Sequence, residues 1–534
     1  MYDFIVVGSG CTGAMAAQTL VESGKKVLMV DVGFSDSRYK GIIPDETFLD
    51  IRKNESKQYK YILGKDLEGI SWYTNGKGDQ ITPPRKFMFK NAESLAPTQS
   101  DTFLATESLA YGGLGNGWGI GCWEWSDIEL TKAGLKPKEI ISAYQVVADR
   151  IGISGTKDSA SEYTVRDLHD IDPSPHADGL HSTLYKRYKK RETKLNELGL
   201  HMGRTPLALI TRDRGERKGY KYDELGFYDD TKESAYRPWI TVNQLKKYPN
   251  FTYLGNKLVT KFSEKNDTVE VTCIDVDSKK SERISAKRLV LSAGTFGSAR
   301  IVLRSGKSKG VKLPILCNPY SYMSFMNPFL LGSGVEKEKL EFANLSLFLD
   351  EAGDNSEVSM ASMYGYQSLM LFRVARQSPL SIKDTRSFLQ YMTPSLSILG
   401  VHHPDHQSKS KYLSLTSDPT SPTGDSLKIH YKLTQAENNE NKKRDSKYVQ
   451  AMMRLGMIPV KNYSPRHGAG LHYAGSLPYS ETEQEYRLDS RGKLYGYKNV
   501  YVSDGSGFTF LPAKGLTFTL MANSHRVAGN ALND

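Results

Sequence analysis

Asp3-Phe4-Ile5-Val6-Val7-Gly8-Ser9-Gly10-Cys11-Thr12-Gly13 stands at the start of the chain, and its reading decides the fold. Phe4 to Val7 is a short apolar run of the kind buried in a parallel sheet. It breaks at a G-x-G-x-x-G. Ala14 to Ser23 has helical composition, and Gly24 stops it. Val27-Leu28-Met29-Val30 is a second apolar strand, ending on Asp31. Each position has a physical reason: Gly8 permits a tight turn, Gly10 lets backbone approach a pyrophosphate, and Gly13 lets the helix pack close to the strand. The positive end of that helix faces the phosphates. Asp31 lies 18 residues after Gly13, close to the spacing at which an acid accepts the hydroxyls of an adenosine ribose. Glycine-rich turns are common, but strand, glycines, helix, strand and acid in one compact unit read as a dinucleotide site rather than a plain βαβ turn.

The totals bound the rest. A chain of 534 residues is too long for one core, so two or more domains are expected. With 39% hydrophobic residues it is globular in composition, and no run approaches the roughly 20 apolar residues of a membrane helix. Met1 and Tyr2 leave no room for a secretory leader before the first strand, so a cytoplasmic protein is expected. The four cysteines, Cys11, Cys122, Cys273 and Cys317, show no C-x-x-C pair, which speaks against a zinc site and a disulfide framework. No metal is expected. The formal charge of +11 is spread along the chain, in pieces such as Lys186 to Arg191 and Lys442-Lys443-Arg444. These runs read first as solvated helix faces, and second as attraction for an anionic partner: a phosphorylated or nucleotide-linked substrate, or peripheral contact with an anionic membrane. No nucleic-acid module is present.

After Asp31 comes a polar stretch, 34 to 100, of the kind that wraps a ligand or forms a lid. Between Gly112 and Gly121 six residues of ten are glycine, with Asn116 and Trp118 among them. Such a run forms no regular element, and the expectation is backbone passing close against something, a flat ring being one candidate. Residues 127 to 150 read as helical, and 156 to 240 as polar and proline-punctuated. From 251 strands take over, ending in Leu291-Ser292-Ala293-Gly294 and a helix from Ser298. Between 310 and 455 period-two runs around 346, 398, 412 and 427 suggest one antiparallel sheet. A helix near 440–456 precedes the last segment.

That segment contains the chemistry. It reads Pro465-Arg466-His467-Gly468-Ala469-Gly470-Leu471-His472-Tyr473-Ala474-Gly475, then Gly496-Tyr497-Lys498-Asn499-Val500-Tyr501-Val502-Ser503-Asp504-Gly505-Ser506, then helical residues from 516 to 532. This resembles the glucose–methanol–choline (GMC) oxidoreductase family of FAD enzymes in its H-x-x-G, its G-x-x-N-x-Y-V-x-D-G-S and its closing helix. The N-terminal fingerprint, the Gly112-Gly113 loop and Leu291 to Gly294 sit in the family's order. The resemblance covers about half the chain and leans to the pyranose-oxidase-like branch.

The resemblance implies an α/β (α+β) architecture: a discontinuous Rossmann-like FAD domain (1–155, 241–310, 456–534) and a substrate domain built on an antiparallel sheet (156–240, 311–455). Gly8, Gly10, Gly13 and Asp31 would hold the ADP half, with Val259 at the adenine. Ala293 would pass near the pyrophosphate, and Asp504 and Gly505 near the phosphates and ribityl chain. Gly113, Asn116 and Trp118 would belong to the flavin loop. Leu516 and Thr517 would place backbone N–H groups and a positive helix end at the flavin N1–O2 edge. One branch bonds flavin covalently to a His; here Gly117 stands at that position, so FAD is expected to be non-covalent.

The implied reaction is oxidation of an alcohol, with a neutral His taking the hydroxyl proton while hydride passes to flavin N5. His467 and His472 compete for that role, with His472 favoured. The family carries a second His or Asn eleven residues after the aspartate of D-G-S, and here that position is Gly515, which cannot polarise a hydroxyl. Lys514, a residue from elsewhere, or more remotely Asn523 or His525 would have to substitute. The expectation is a dehydrogenase, rather than an oxidase, acting on a sugar or sugar-like substrate, activated or anionic ones included, with an unknown electron acceptor. Non-oxidative or internal redox chemistry, or a flavin-binding protein without catalysis, is the alternative.

Overall fold

The computed structural model describes residues 1–36, 42, 44, 46, 48–70, 81–222, 232–334, 336, 339–365, 371 and 375–534. The lid expected of 34–100 therefore falls partly outside the described residues. Four strands run parallel in the order Phe251–Leu254, Val27–Val30, Tyr2–Val7, Ser281–Leu291, and Val500–Val502 continues the sheet on the far side of the last. Thr268–Asp275 and Lys257–Lys265 then extend it antiparallel. The central strands are apolar on both faces because both are covered. Phe4, Val6, Met29 and Val290 pack against Ala14, Ala17 and Leu20 of the first helix, Cys11–Glu22, and Val527 and Ala528 of the last, Thr517–Leu532. Ile5, Val7, Leu28, Val30 and Leu291 enter the larger core on the other face. The two ends of the chain thus share one layer, and the Ser524 hydroxyl donates to the Thr12 carbonyl at 2.6 Å.

The glycine fingerprint folds as its spacing requires. Gly8 has φ +99°, and a Cβ there would lie 2.7 Å from the Ser292 carbonyl oxygen; a Cβ at Gly13 would lie 1.9 Å from the Gly8 oxygen. Both positions demand glycine.

A six-stranded antiparallel sheet forms the second layer, in the order Ile458–Tyr463, Tyr320–Met326, Leu396–His402, Ser359–Gly365, Leu345–Leu349, Leu200–Arg204. Its outer strands come from either side of 311–455. Period-two alternation sorts its side chains. Met323, Phe325, Ala361, Met363, Leu399 and Val401 face a core completed by the helices Gly179–Lys189 and Gln435–Arg454. The opposite face turns towards the first domain.

One expectation needs correcting. The runs near 412 and 427 do not join that sheet. Lys411–Ser417 and Asp425–Tyr431 pair with each other, beside Leu313–Pro314 and, in parallel, Thr98–Gln99. Their apolar residues Leu413, Leu427 and Ile429 belong to the main core, so burial draws this hairpin to the first domain. Residues 127–150, expected to be helical, form two helices, Asp127–Lys132 and Pro137–Ile151, divided at Gly134, whose φ is +80°.

Candidate active site

A cleft of about 500 Å³ runs between the two layers. Three helices begin at it: Cys11–Glu22, Gly294–Ser305 and Thr517–Leu532. None has a side-chain cap or an acidic residue in its first turn. By contrast Ser126 with Glu129, and Thr434 with Glu437, close capping boxes on helices elsewhere. An uncapped helix start leaves N–H groups without acceptors and a positive end without a counter-charge. Three such starts converging on one cleft fit an extended anionic ligand. Room for it exists where a side chain would intrude: a Cβ at Gly294 would meet nothing within 4 Å, and one at Gly10 only the Gly112 oxygen at 4.0 Å.

At one end of the cleft lie Asp31, Val32, Leu258 and Val259. The Asp31 carboxylate accepts from the Ser9 and Tyr253 hydroxyls, and burial pushes its pKa up to about 6. Ser9 Oγ in turn accepts from the Gly112 N–H at 2.8 Å, joining the glycine loop to the fingerprint. The cleft's basic groups are at this end and already paired, Lys257 with Asp275, Arg300 with Glu107, Arg304 with Asp425. Ala293, Asp504 and Gly505 line the middle. Asp504 is buried, accepting from Ser298 and Ser506. Gly113 and Trp118 also line the cleft, but Asn116 does not: it is buried beneath the loop, donating to the Tyr111 and Gly113 carbonyls. Gly13 does not line the cleft. Two glycines of the run also have protein neighbours that require them. Gly115 fits against Pro238 and Cys11, and Gly117 against Met88.

The other end holds His472, Gly515, Leu516 and Thr517, faced by the antiparallel sheet. Leu471, held at φ +59°, turns the chain into His472, a left-handed conformation that costs a non-glycine residue about 1 kcal/mol. His472 Nδ1 lies 2.9 Å from Asn318 Oδ1. The Asn318 amide nitrogen donates to the carbonyls of His403 and Pro512, at 2.8 and 3.0 Å, which fixes the amide's orientation. Its oxygen must therefore accept from His472, so the imidazole proton sits on Nδ1 and Nε2 carries a bare lone pair. Burial lowers the pKa of His472 to about 4, so it is neutral at pH 7. A neutral imidazole with its tautomer fixed in this sense can act as a general base.

His467 is placed elsewhere. Its ring packs on Tyr431 at 5.0 Å and it does not line the cleft. Lys514 is buried in an ion pair with Glu129 at 2.9 Å and a hydrogen bond to Asn355. His525 contacts Thr19, and Asn523 contacts Tyr479. None of these four reaches the cleft. Gly515 has a structural reason: a Cβ there would lie 2.5 Å from Cζ3 of Trp123.

Sequence reasoning missed Asn318 and the sheet's cleft face, where Tyr320, Tyr322, Met360, Tyr364, Ile398 and His402 point into the cavity. Alternation carried the signal. With Leu399 and Val401 facing the core, Ile398 and His402 must face the other way.

Uncapped helix starts over a glycine fingerprint, joined to an antiparallel sheet across a cleft, define the architecture. It is shared with the crystal structure of pyridoxine 4-oxidase from Mesorbium loti, a GMC oxidoreductase, at TM-score 0.59 and 13% identity over the whole of both chains. The fold is that of the GMC oxidoreductases. Two curated relatives are similar in sequence. Paromamine 6'-oxidase of Streptomyces fradiae is 22% identical over 555 residues, covering 100% of this chain and 92% of the relative. The 6'''-hydroxyparomomycin C oxidase of Streptomyces lividus is 22% identical over 560 residues, covering 99% and 91%. No family model matches the chain. The GMC pattern that the sequence resembles has a His or Asn eleven residues after the aspartate of D-G-S; here that position is Gly515, and Trp123 fills the space beside it.

Proposed function

We propose that the protein is an FAD-dependent oxidoreductase that oxidises a hydroxyl group of an uncharged, sugar-like substrate. The observation that carries this reading is His472, neutral and with a bare Nε2, at the end of a cleft built for a dinucleotide. Gly8, Gly10, Ala293, Gly294 and the three helix starts would hold the pyrophosphate, and Asp31 the ribose. Leu516 and Thr517 would present a positive helix end to the ring. Gly117 at the position of the covalent His supports non-covalent FAD. Bound FAD supplies the two-electron acceptor, so that the carbinol C–H bond is lost as hydride and the C–O bond becomes a carbonyl. His472 Nε2 takes the hydroxyl proton, while Asn318 keeps Nδ1–H engaged and stabilises the imidazolium that results. The names of the two curated relatives support a sugar-like substrate.

Charge narrows the class. Among the described residues, the His472 end of the cleft and the sheet facing it offer tyrosines, Trp123, Met360, Ser362 and two histidines, but no carboxylate, ammonium or guanidinium. The paired cations at the far end give no grip on an anionic sugar, which speaks for a neutral one, its C–H faces stacked on aromatic rings. No residue speaks for a dehydrogenase. Both curated relatives are named oxidases, so dioxygen is the first acceptor to test.

The test is an absorbance spectrum of the purified protein and its anaerobic titration with neutral sugars, amino sugars and nucleotide sugars. Flavin bands that bleach with a neutral sugar and recover with hydrogen peroxide on admitting air are expected; recovery only with an artificial acceptor would restore the dehydrogenase. Flavin that bleaches with none of the panel would favour the non-oxidative reading that Gly515 invites, and absence of flavin would overturn the proposal.

A further inference from the structure

We infer that His402 donates, through Nε2–H, the hydrogen bond that holds the substrate's reacting oxygen beside His472. This rests on the reading of the cleft as an alcohol-oxidising site, and it supplies a group that position 515 cannot. Trp123 occupies the space a side chain at 515 would need, and it is fixed there. A Cβ at Gly121 would lie 2.0 Å from its Cη2, and its Nε1 donates to Ser346 Oγ at 3.0 Å. Lys514, Asn523 and His525 are bound elsewhere. The second polar group must come from another element.

His402 ends the strand Leu396–His402, between Tyr320 and Met360 on the neighbouring strands. Its ring lies between two others, Tyr320 at 4.3 Å and His472 at 4.5 Å, stacked on the latter within 17°. Stacking fixes the ring; it does not satisfy its nitrogens. Nδ1 is fully buried with no hydrogen-bond partner, and no bond to Nε2 is formed among the described residues. Since His402 lines the cleft, Nε2 is the nitrogen open to it. A neutral imidazole carries one proton. Placing it on Nδ1 would bury a donor without an acceptor, which costs more than burying a bare lone pair. The proton therefore belongs on Nε2.

The two stacked imidazoles are thus opposite tautomers. His472 offers a lone pair to the cleft and His402 offers an N–H. A hydroxyl bound between them donates its proton to one and accepts from the other. As the C–O bond becomes a carbonyl, the charge that builds on oxygen meets the His402 donor. Both rings stay neutral, since burial comes first in holding the pKa of His402 well below 6.5, with His472 and His403 adding to it.

Two measurements on the flavin-loaded protein test this. The first needs no substrate: long-range ¹H–¹⁵N correlation spectra of ¹⁵N-histidine-labelled protein, assigned with His402→Phe and His472→Ala. His402 is expected as the Nε2–H tautomer and His472 as the Nδ1–H tautomer; two identical tautomers would overturn the inference. The second is anaerobic flavin reduction by whichever sugar bleaches the wild type. His402→Phe keeps the stacked ring and removes the donor, and is expected to retain flavin and slow reduction about 10²–10³-fold, the loss typical of one oxyanion donor. His402→Asn restores a donor and is expected to recover part of the rate. Reduction within about threefold of wild type in His402→Phe, or equal rates in the Phe and Asn variants, would overturn it. A wild type that no sugar bleaches counts against the proposed function and leaves the tautomer result to stand or fall alone.

Discussion

Substituting Gly515 by alanine tests whether Trp123 occupies the space that a side chain at 515 would need. The new Cβ would sit 2.5 Å from Cζ3 and 2.7 Å from Cε3 of the indole, closer than carbon atoms approach without bonding. The ring has little room to shift, since a Cβ at Gly121 would lie 2.0 Å from Cη2 and 2.4 Å from Cζ3, and its nitrogen donates to Ser346. Overpacking of this kind costs about 1–3 kcal/mol. Trp123→Phe makes room at 515 and gives up the bond to Ser346, a loss of about 2 kcal/mol from the smaller ring and the missing donor. If the two positions contend for one space, the double variant will be more stable than the sum of the single losses allows, by about 1–2 kcal/mol. Urea unfolding of the four proteins, followed by far-ultraviolet circular dichroism, measures this cycle. Losses that add to within about 0.5 kcal/mol would refute the reasoning, because independent sites add.

Other consequences are as direct. Asn318→Leu frees His472 to carry its proton on either nitrogen, and flavin reduction is expected to slow about 10²-fold with flavin still bound; an unchanged rate would show that the amide sets no tautomer. Asp31→Ala removes hydrogen bonds to a charged acceptor worth about 1.5–3 kcal/mol, so flavin should dissociate with a Kd raised roughly 10- to 100-fold in a fluorescence titration. Burial lowers the pKa of His472 from 6.5 to about 4, so the base is neutral above that range and blocked below it. The reduction rate should be level from about pH 8 to 6 and fall only as pH drops through about 4; a fall centred near 6.5 would contradict the buried base.

What was legible in the sequence was what local physics fixes. Gly8, Gly13 and Asp31 are constrained within one βαβ unit, and the buried strand announces itself by the unbroken apolar run Phe4 to Val7. His472 was legible through its motif, but the choice between it and His467 was not. Both open an H-x-x-G, and only the turn through Leu471 decides which ring reaches the cleft. Asn318 could not be found, because its part depends on carbonyls at His403 and Pro512, far away in the chain. The hairpin around 411–431 was misplaced because alternation gives a strand's two faces, not the sheet it joins. His402 lay between these cases. Its face was implied by Leu399 and Val401, but nothing local said what that face looked onto. Gly515 read as a defect until Trp123, almost 400 residues earlier, was seen to fill its space.

The central claim is that His472 Nε2 accepts the substrate's hydroxyl proton, and anaerobic stopped-flow reduction of His472→Ala beside the wild type measures it most directly. Equal flavin content and a reduction rate lower by about 10²–10⁴-fold, the usual worth of a general base, is the predicted result. Flavin bleached as fast in the variant as in the wild type would contradict the account.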